Sequence, residues 1–449
     1  MLIALLLGGA AAAAPPNIVL IVADDLGWTD AGFAGSDYYR TPRLDALAAQ
    51  GAMFTQAYAA CANCAPSRAA ILSGQYAPRT GVYTVITSRR GREQDRRLLV
   101  PETKRRLDRQ AVTIAEALRD AGYATGFFGK WHLGDGATGP IAQGFDTNVG
   151  GNLTGHPASY FSPYQNPDLP DGPEREYLTT RLTDEAIGFI KRADAPFFCM
   201  LSYYTVHAPL QPEQERLERA RSRARGQRHR NARYAAMIDA LDDNVGRLLD
   251  ALDDGLRDST LVILTSDNGG FGGVTSAAPL RGAKGMFYEG GIRVPMLVRW
   301  PGVVEPGRVV ETPVIGVDFY PTLLEIAGAE QPAQPLDGVS LAPLLRGEAM
   351  GQRALFWHFP AYLESGGLIE GPWRTTPCSV VRHGDLKLIE YFEDGRLELY
   401  DLGADPGEQR DLSEARSDDR DRLHALLRRW REDLGAPVPS EPNPEWGGG

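Results

Sequence analysis

The chain has 449 residues, 43% of them hydrophobic and 23% charged, the balance of an ordinary soluble globular protein with room for up to about three domains. A formal net charge of −11 argues against nucleic acid as a general partner, so any anion site has to be a local basic pocket. Four cysteines are too few for stability to rest on a dense disulfide framework.

Residues 1–14, apolar and then alanine-rich, are too short to span a bilayer and look like a secretory signal, which predicts export; no Lys or Arg follows Met1, and a buried first strand is the alternative. Residues 18–22 are an unbroken aliphatic run, the pattern of a strand buried on both faces in a parallel sheet. The run stops at Asp24-Asp25, where open α/β sheets bind ligands, and two adjacent carboxylates repel unless a cation lies between them. A solvated turn would account for one aspartate there better than for two.

Cys64-Ala65-Pro66-Ser67-Arg68 follows, with Ser67 expected to cap a helix starting near Arg68 and to leave Cys64 at its mouth, where the positive field suits a nucleophile that meets an anion. The competing reading is a redox or zinc Cys61-x-x-Cys64, for which Cys199 and Cys378 are too scattered to complete a site. The next loop, residues 84–109, is rich in arginine, Arg89 and Arg90 included, and is either a positive rim at the pocket or a solvated surface.

An amphipathic helix is predicted from Thr113 to Gly122, then a strand over 123–128 leading into Gly129-Lys130-Trp131-His132-Leu133-Gly134. In an extended segment Lys130 and His132 point to one side and can face one anion; taken alone, His132 is more often a satisfied core histidine. A further buried strand over 195–203 leads to His207, and the basic stretch 216–233 reads as a solvated helix face. Apolar residues at helical spacing from Tyr234 to Leu252 give a core helix that feeds a second buried strand, 261–264. That strand ends in Ser266-Asp267-Asn268-Gly269, so oxygen ligands from two strand ends can make a hard-cation site of the calcium or magnesium kind. Glu289 and Arg293 are spaced for a buried pair. A helix is expected near 336–345, after which composition shifts to aromatics, Gly and Pro, with short strands at 379–382, 386–391 and 397–401, a turn at Asp394-Gly395 and a last helix through Leu423, Leu427 and Trp430.

Cys-x-Pro-Ser-Arg with its trailing Leu72-Ser73-Gly74, together with Gly-Lys-Trp-His-Leu-Gly and the block from Leu280 to Pro295, resembles the signatures of the formylglycine-dependent sulfatases of the alkaline-phosphatase superfamily, bacterial arylsulfatases and carbohydrate sulfatases above all. Ser73 stands where threonine is usual and Gln75 where arginine is common. The resemblance covers nearly the whole chain after residue 14 and implies an α/β domain over 15–350, with a mixed, mostly parallel sheet between helices, and a small C-terminal α+β domain with an antiparallel sheet over 351–440. It implies that a maturation enzyme converts Cys64 to formylglycine (3-oxoalanine), and that Asp24, Asp25, Asp267, Asn268 and the modified residue hold one Ca²⁺. Lys130, Lys284 and His207 would then hold the sulfate, His132 would take a proton and Arg68 would anchor the nucleophile.

The activity so implied is hydrolysis of a sulfate ester on a small molecule or saccharide, with no nucleic-acid partner, no stable membrane insertion and the oligomeric state left open. The rivals are a phosphonate or phosphate ester hydrolase of the same superfamily and an unmatured glycan-binding relative. For the sugar, His358 and Trp373, in a set with Trp357 and Tyr362, and Arg89 on the basic loop are the candidate contacts, with galactose-type rings preferred.

Overall fold

A computed structural model describes residues 15–193 and 196–448, so the signal predicted at 1–14 lies outside the described residues. The aliphatic run forms strand β1 (Asn17–Ala23), buried along its whole length. Its alternate residues feed two separate cores: Val19 and Ile21 pack on one face of the sheet with the Leu178–Arg192 and Ala232–Asp253 helices. Ile18, Leu20 and Val22 pack on the other face with the Cys64–Ser73, Ile114–Asp120 and Phe319–Ala327 helices. Burial on both sides is why the run reads as continuous rather than alternating.

Around β1 the sheet is completed by β2 (Ala52–Tyr58), β3 (Ala124–Gly129), β4 (Thr147–Val149), β5 (Phe197–Ser202), β6 (Thr260–Ser266), β7 (Arg293–Arg299), β8 (Arg308–Val310) and β9 (Val314–Ile315). It has nine strands in the order β4-β3-β5-β1-β6-β7-β2-β8, with β9 on β2. Pairing is parallel from β4 to β6, and β7 runs antiparallel to both β6 and β2. The sheet is thus mixed and mostly parallel, as expected.

Beyond it lie β10 (Ala354–Phe359), β11 (Leu363–Glu364), β12 (Trp373–Thr375), β13 (Cys378–His383), β14 (Leu386–Tyr391) and β15 (Leu397–Asp401). Four of them form an antiparallel sheet, β10-β13-β14-β15, and β11 pairs with β12. Leu423 and Leu427 of the Ser417–Leu434 helix pack against Val381, Leu388 and Leu399 of this sheet. Lys387 of β14 bridges Glu289 (3.0 Å) and Glu408 (2.8 Å) with all three side chains buried, and Tyr58 donates to Glu289 (2.6 Å), so the two sheets share an ionic joint.

Three local expectations are corrected. The helix predicted near 336–345 is one turn, Ala342–Leu345, because Pro335 and Gly338 precede it, while the Phe319–Ala327 helix was not foreseen. Ser67 does not cap: the helix starts at Cys64, with Asn63 in extended conformation (φ −129°, ψ 152°) ahead of it. Residue 132 is not extended but left-handed (φ 63°). Among the described residues no helix is long and apolar enough to cross a membrane.

Candidate active site

The parallel register that sets Ala23 beside Ser266 carries Asp24 and Asp25 to the same carboxyl-terminal edge of the sheet as Asp267 and Asn268, at the ends of two central strands. Asp24, Asp267 and Asn268 have no exposed surface. Asp25 adopts φ 61°, a conformation aspartate tolerates better than most residues, and Tyr234 donates to its carbonyl (3.0 Å).

Cys64, the first residue of a helix whose ten residues are all buried, faces this edge. Four residues later on the same face, Arg68 donates through Nε to Asp267 Oδ2 (2.8 Å) and through Nη1 to the Lys130 carbonyl (2.7 Å) and Ser202 Oγ. The Lys130 backbone is pinned by its N–H on the Ser202 carbonyl (2.7 Å), after Gly129, where a Cβ would lie 2.0 Å from that same oxygen. From there Lys130 Nζ reaches Asp24 (2.7 Å). The left-handed turn at His132 brings Nδ1 to 3.3 Å from Cys64 Sγ, so Lys130 and His132 converge by a bend rather than by strand alternation.

Opposite, Lys284 Nζ lies 2.6 Å from Asp25 Oδ1, and His207 Nε2 lies 3.7 Å from Asp25 Oδ2. His207 Nδ1 lies 2.7 Å from the Ala208 carbonyl, which can only accept, so Nδ1 carries the hydrogen and Nε2 is the free ring nitrogen. Every residue expected at the catalytic and metal positions therefore meets at one edge of the sheet.

Electrostatics divide these groups. Burial pushes the Asp24 carboxyl well above the usual range, against the opposing Lys130 ammonium. Burial would raise Asp25 as well, but Lys284, with His207 and Lys130, holds it below the ordinary value. Asp267 is held low in the same way by Arg68. Burial, then the Lys130 and Arg68 charges, drives His132 well below the usual imidazole value, and burial lowers His207 to about 3, so both rings are neutral at pH 7.

The donor set fits a hard cation. Among the described residues the buried Asp24 Oδ1 and Asn268 Oδ1 have no hydrogen-bond partner, and carboxylate oxygens of Asp24 and Asp25 and a ring nitrogen of His207 lie within 4.8 Å of one another. Oxygen donors of this kind suit calcium or magnesium.

The sugar contacts expected from sequence are not at this edge. His358 is 3% exposed, with Nδ1 2.7 Å from Ser379 Oγ and Nε2 2.9 Å from the Pro437 carbonyl, so a ligand cannot reach it. Trp357 and Tyr362 are also core residues, the former donating to the Ala59 carbonyl (2.8 Å). Arg89 is exposed and pairs with exposed Glu102 (3.0 Å). Trp373 alone is half-buried at a cavity wall, with Nε1 on the Asp95 carbonyl (3.1 Å). Its neighbour Arg374, which no spacing or motif marks, donates to the Lys284 carbonyl (3.1 Å).

A mostly parallel sheet that gathers paired carboxylates, a helix-mouth cysteine, two lysines and two neutral histidines at one edge defines a hydrolase of alkaline-phosphatase-like fold. The family profile described as Sulfatase matches residues 16–329, and that described as N-sulphoglucosamine sulphohydrolase, C-terminal, matches residues 283–433. A Sulfatase of Formosa agariphila is 36% identical, over 88% of this chain and 84% of its own. Arylsulfatase A of Homo sapiens is 34% identical over 88% and 82%, and N-acetylgalactosamine-6-sulfatase of Sus scrofa 31% over 94% and 87%. The crystal structure of Ps i-CgsB in complex with k-i-k-neocarrahexaose superposes with TM-score 0.79 at 29% identity over 95% of this chain and 94% of that one. In fold alone, the phosphonate monoester hydrolase of Agrobacterium radiobacter is also similar (TM-score 0.70, 23% identity, 93% and 96% covered). The chain belongs to the sulfatase family and is a sulfuric ester hydrolase.

Proposed function

We propose that this enzyme hydrolyses a sulfate ester on a saccharide, with a hydrated formylglycine derived from Cys64 as nucleophile and one Ca²⁺ at the paired aspartates. The observation that carries the reading is the cysteine itself: Sγ lies at the start of a buried helix, 3.3 Å from the nitrogen of a neutral histidine. A zinc or redox role for Cys61-x-x-Cys64 has less support, since burial raises the Cys61 thiol to about 12 and so disfavours the thiolate either role needs.

Asp24, Asp25, Asp267 and Asn268 would hold the calcium, which supplies Lewis acidity toward sulfate oxygens, while the formylglycine gem-diol supplies a nucleophile whose second hydroxyl lets the aldehyde re-form. The chain's own groups do the rest. Lys130 and Lys284 aim ammonium groups at the same edge and offset charge on the sulfate oxygens. His132, neutral, presents a ring nitrogen toward position 64 and is placed to accept its proton. His207 uses Nδ1–H to fix its ring on the Ala208 carbonyl, which leaves Nε2 as an acceptor, so the Lys284 ammonium is the group placed to give the leaving oxygen its proton. Arg68 keeps Asp267 ionised and ties the Cys64 helix to the β3 and β5 ends through the Lys130 carbonyl and Ser202.

A saccharide substrate is supported by a relative named for a sugar sulfate, N-acetylgalactosamine-6-sulfatase, and by the similar structure in complex with k-i-k-neocarrahexaose. Export follows the apolar, small-residue stretch at 1–14. The test is a substrate panel with matured enzyme: sulfated mono- and oligosaccharides, an aryl sulfate and a phosphonate monoester. Higher kcat/KM on a sulfated saccharide than on the aryl sulfate supports the reading. A preference for the phosphonate overturns it in favour of the phosphonate hydrolases that share the fold.

A further inference from the structure

Next to the site lies a cavity of about 490 Å³ whose walls include Arg281, Tyr288, Trp373, Arg374, Tyr391 and Arg396, with no aspartate or glutamate among its lining residues. In a chain of net charge −11 such a wall is a local inversion of sign. Its volume suits a sugar unit, and the Trp373 indole adds aromatic surface to its wall, while the Tyr288 and Tyr391 rings each carry an arginine on one face.

The three arginines are not equivalent. Arg281 is tied to Tyr400 Oη (3.0 Å) and the Glu408 carbonyl (3.1 Å) and stacks 3.8 Å from the Tyr288 ring centre. Arg396 pairs with Glu398 and stacks 4.2 Å from the Tyr391 ring centre. Arg374 donates to the carbonyls of Lys284 (3.1 Å) and Ser365 (3.4 Å) and lies 5.4 Å from the Phe271 ring centre, but among the described residues it has no carboxylate partner and its buried Nε has no hydrogen-bond partner. Glu364, an acid whose charge it feels, is already held by Arg90 at 2.6 Å. Burial and the Arg90 guanidinium lower its pKa from the ordinary arginine value, so an anion docking there would relieve it.

We propose that this cavity is a subsite for an anionic sugar unit, sulfated or carboxylated, next to the ring that loses its sulfate, with Arg374 as the anion anchor. The position follows from the backbone: Arg374 holds the carbonyl of Lys284, the residue whose ammonium lies in the catalytic cluster, and Ala283 lines the cavity wall. Trp373 and Arg374, sequence neighbours on strand β12, both line the cavity, one with an indole ring and the other with a charge. The inference rests on the proposed saccharide sulfatase activity and names the class of saccharide it takes: one carrying a second anionic group.

The experiment compares a galactose-based oligosaccharide with one sulfate, its counterpart with a second sulfate on the neighbouring ring, and its counterpart with a uronate there, in wild type, Arg374→Gln and Arg396→Gln. Wild type should favour one of the two-anion substrates over the one-anion substrate by about tenfold or more in kcat/KM, the scale of a charge-assisted hydrogen bond. Whichever is favoured identifies the second group. Arg374→Gln should bring that ratio close to one, chiefly by raising KM on the two-anion substrate, and Arg396→Gln, at the exposed rim, should lower it less. In Cys64→Ala protein, which cannot turn over, calorimetry should show the same preference for the two-anion saccharide and its loss with Arg374→Gln. An equal drop in kcat on every substrate would mean that Arg374 only positions Lys284, and, like the absence of any wild-type preference, would overturn the subsite. Arg374-dependent binding without hydrolysis of any sulfate ester would instead sink the catalytic reading and leave the subsite standing.

Discussion

Arg68 shows how a single buried side chain ties the site's segments together. It is 1% exposed and contacts Asp267, the Lys130 carbonyl and Ser202, so three segments meet on one guanidinium. Arg68→Ala should therefore strand a buried Asp267 charge and destabilise the fold by about 3–5 kcal/mol, measured by denaturant unfolding. Loss of activity with unchanged stability would contradict that role. Asp24→Ala and Asp267→Ala should both reduce calcium retained after dialysis, read by elemental analysis, whereas full occupancy in both variants would remove the metal from this site. Residues that act through charge at strand ends were legible in the sequence because the chemistry fixes their type: two aspartates after one aliphatic run, Asp-Asn after another. His358 was not legible, because what decides its role is the carbonyl of Pro437, 79 residues away, which no spacing reveals.

At the level of elements, burial of a neutral histidine in the small sheet makes a prediction with a definite sign. Burial lowers His358 to about 3 from an ordinary value near 6.5, so between those pH values the unfolded chain binds a proton that the folded one refuses. Stability falls as pH drops through that window, by up to about 1.4 kcal/mol per pH unit from this group. His358→Gln should flatten the pH dependence of Tm between pH 6 and pH 4, where an unchanged slope would place the effect elsewhere. The joint between the sheets is a second element-scale test: Lys387→Met leaves Glu289 and Glu408 facing each other without their shared cation and should cost about 3–5 kcal/mol.

The elements themselves were legible in proportion to how local their causes are. The helix after Thr113 has a capping box with Glu116, a signal contained in four residues. The Cys64–Ser73 helix begins four residues earlier than a Ser67 cap would set it, with Asn63 at the cap position and no side-chain cap bond. The hairpin of β11 and β12, which carries Trp373, is too short to leave a periodic trace, and so Arg374 stayed invisible.

Over the whole molecule, three buried or nearly buried carboxylates, Asp24, Asp25 and Asp267, face Lys130, Lys284 and Arg68. That leaves the cluster near neutrality inside an acidic protein, and a divalent cation added to it makes a positive site for an anionic ester. If the proposed calcium binds the folded arrangement, chelation should lower Tm, by the equivalent of about 2.7 kcal/mol where the free ion had stood at a hundred times its Kd. A Tm indifferent to chelator and to added calcium would mean that the lysines alone balance the aspartates. The ionic joint ties the small sheet to the large one, and the arginine-lined cavity lies beside the catalytic cluster through the Arg374–Lys284 carbonyl contact.

The most direct test is the mass of the peptide containing residue 64 from purified, active enzyme, taken together with turnover of a sulfate ester by the same preparation. Formylglycine predicts a loss of roughly 18 Da relative to cysteine, since the thiol is replaced by an aldehyde oxygen, and activity in proportion to the modified fraction. Cys64→Ser should be inactive, having no aldehyde to re-form. Full turnover from protein whose residue 64 is wholly unmodified cysteine would contradict the account.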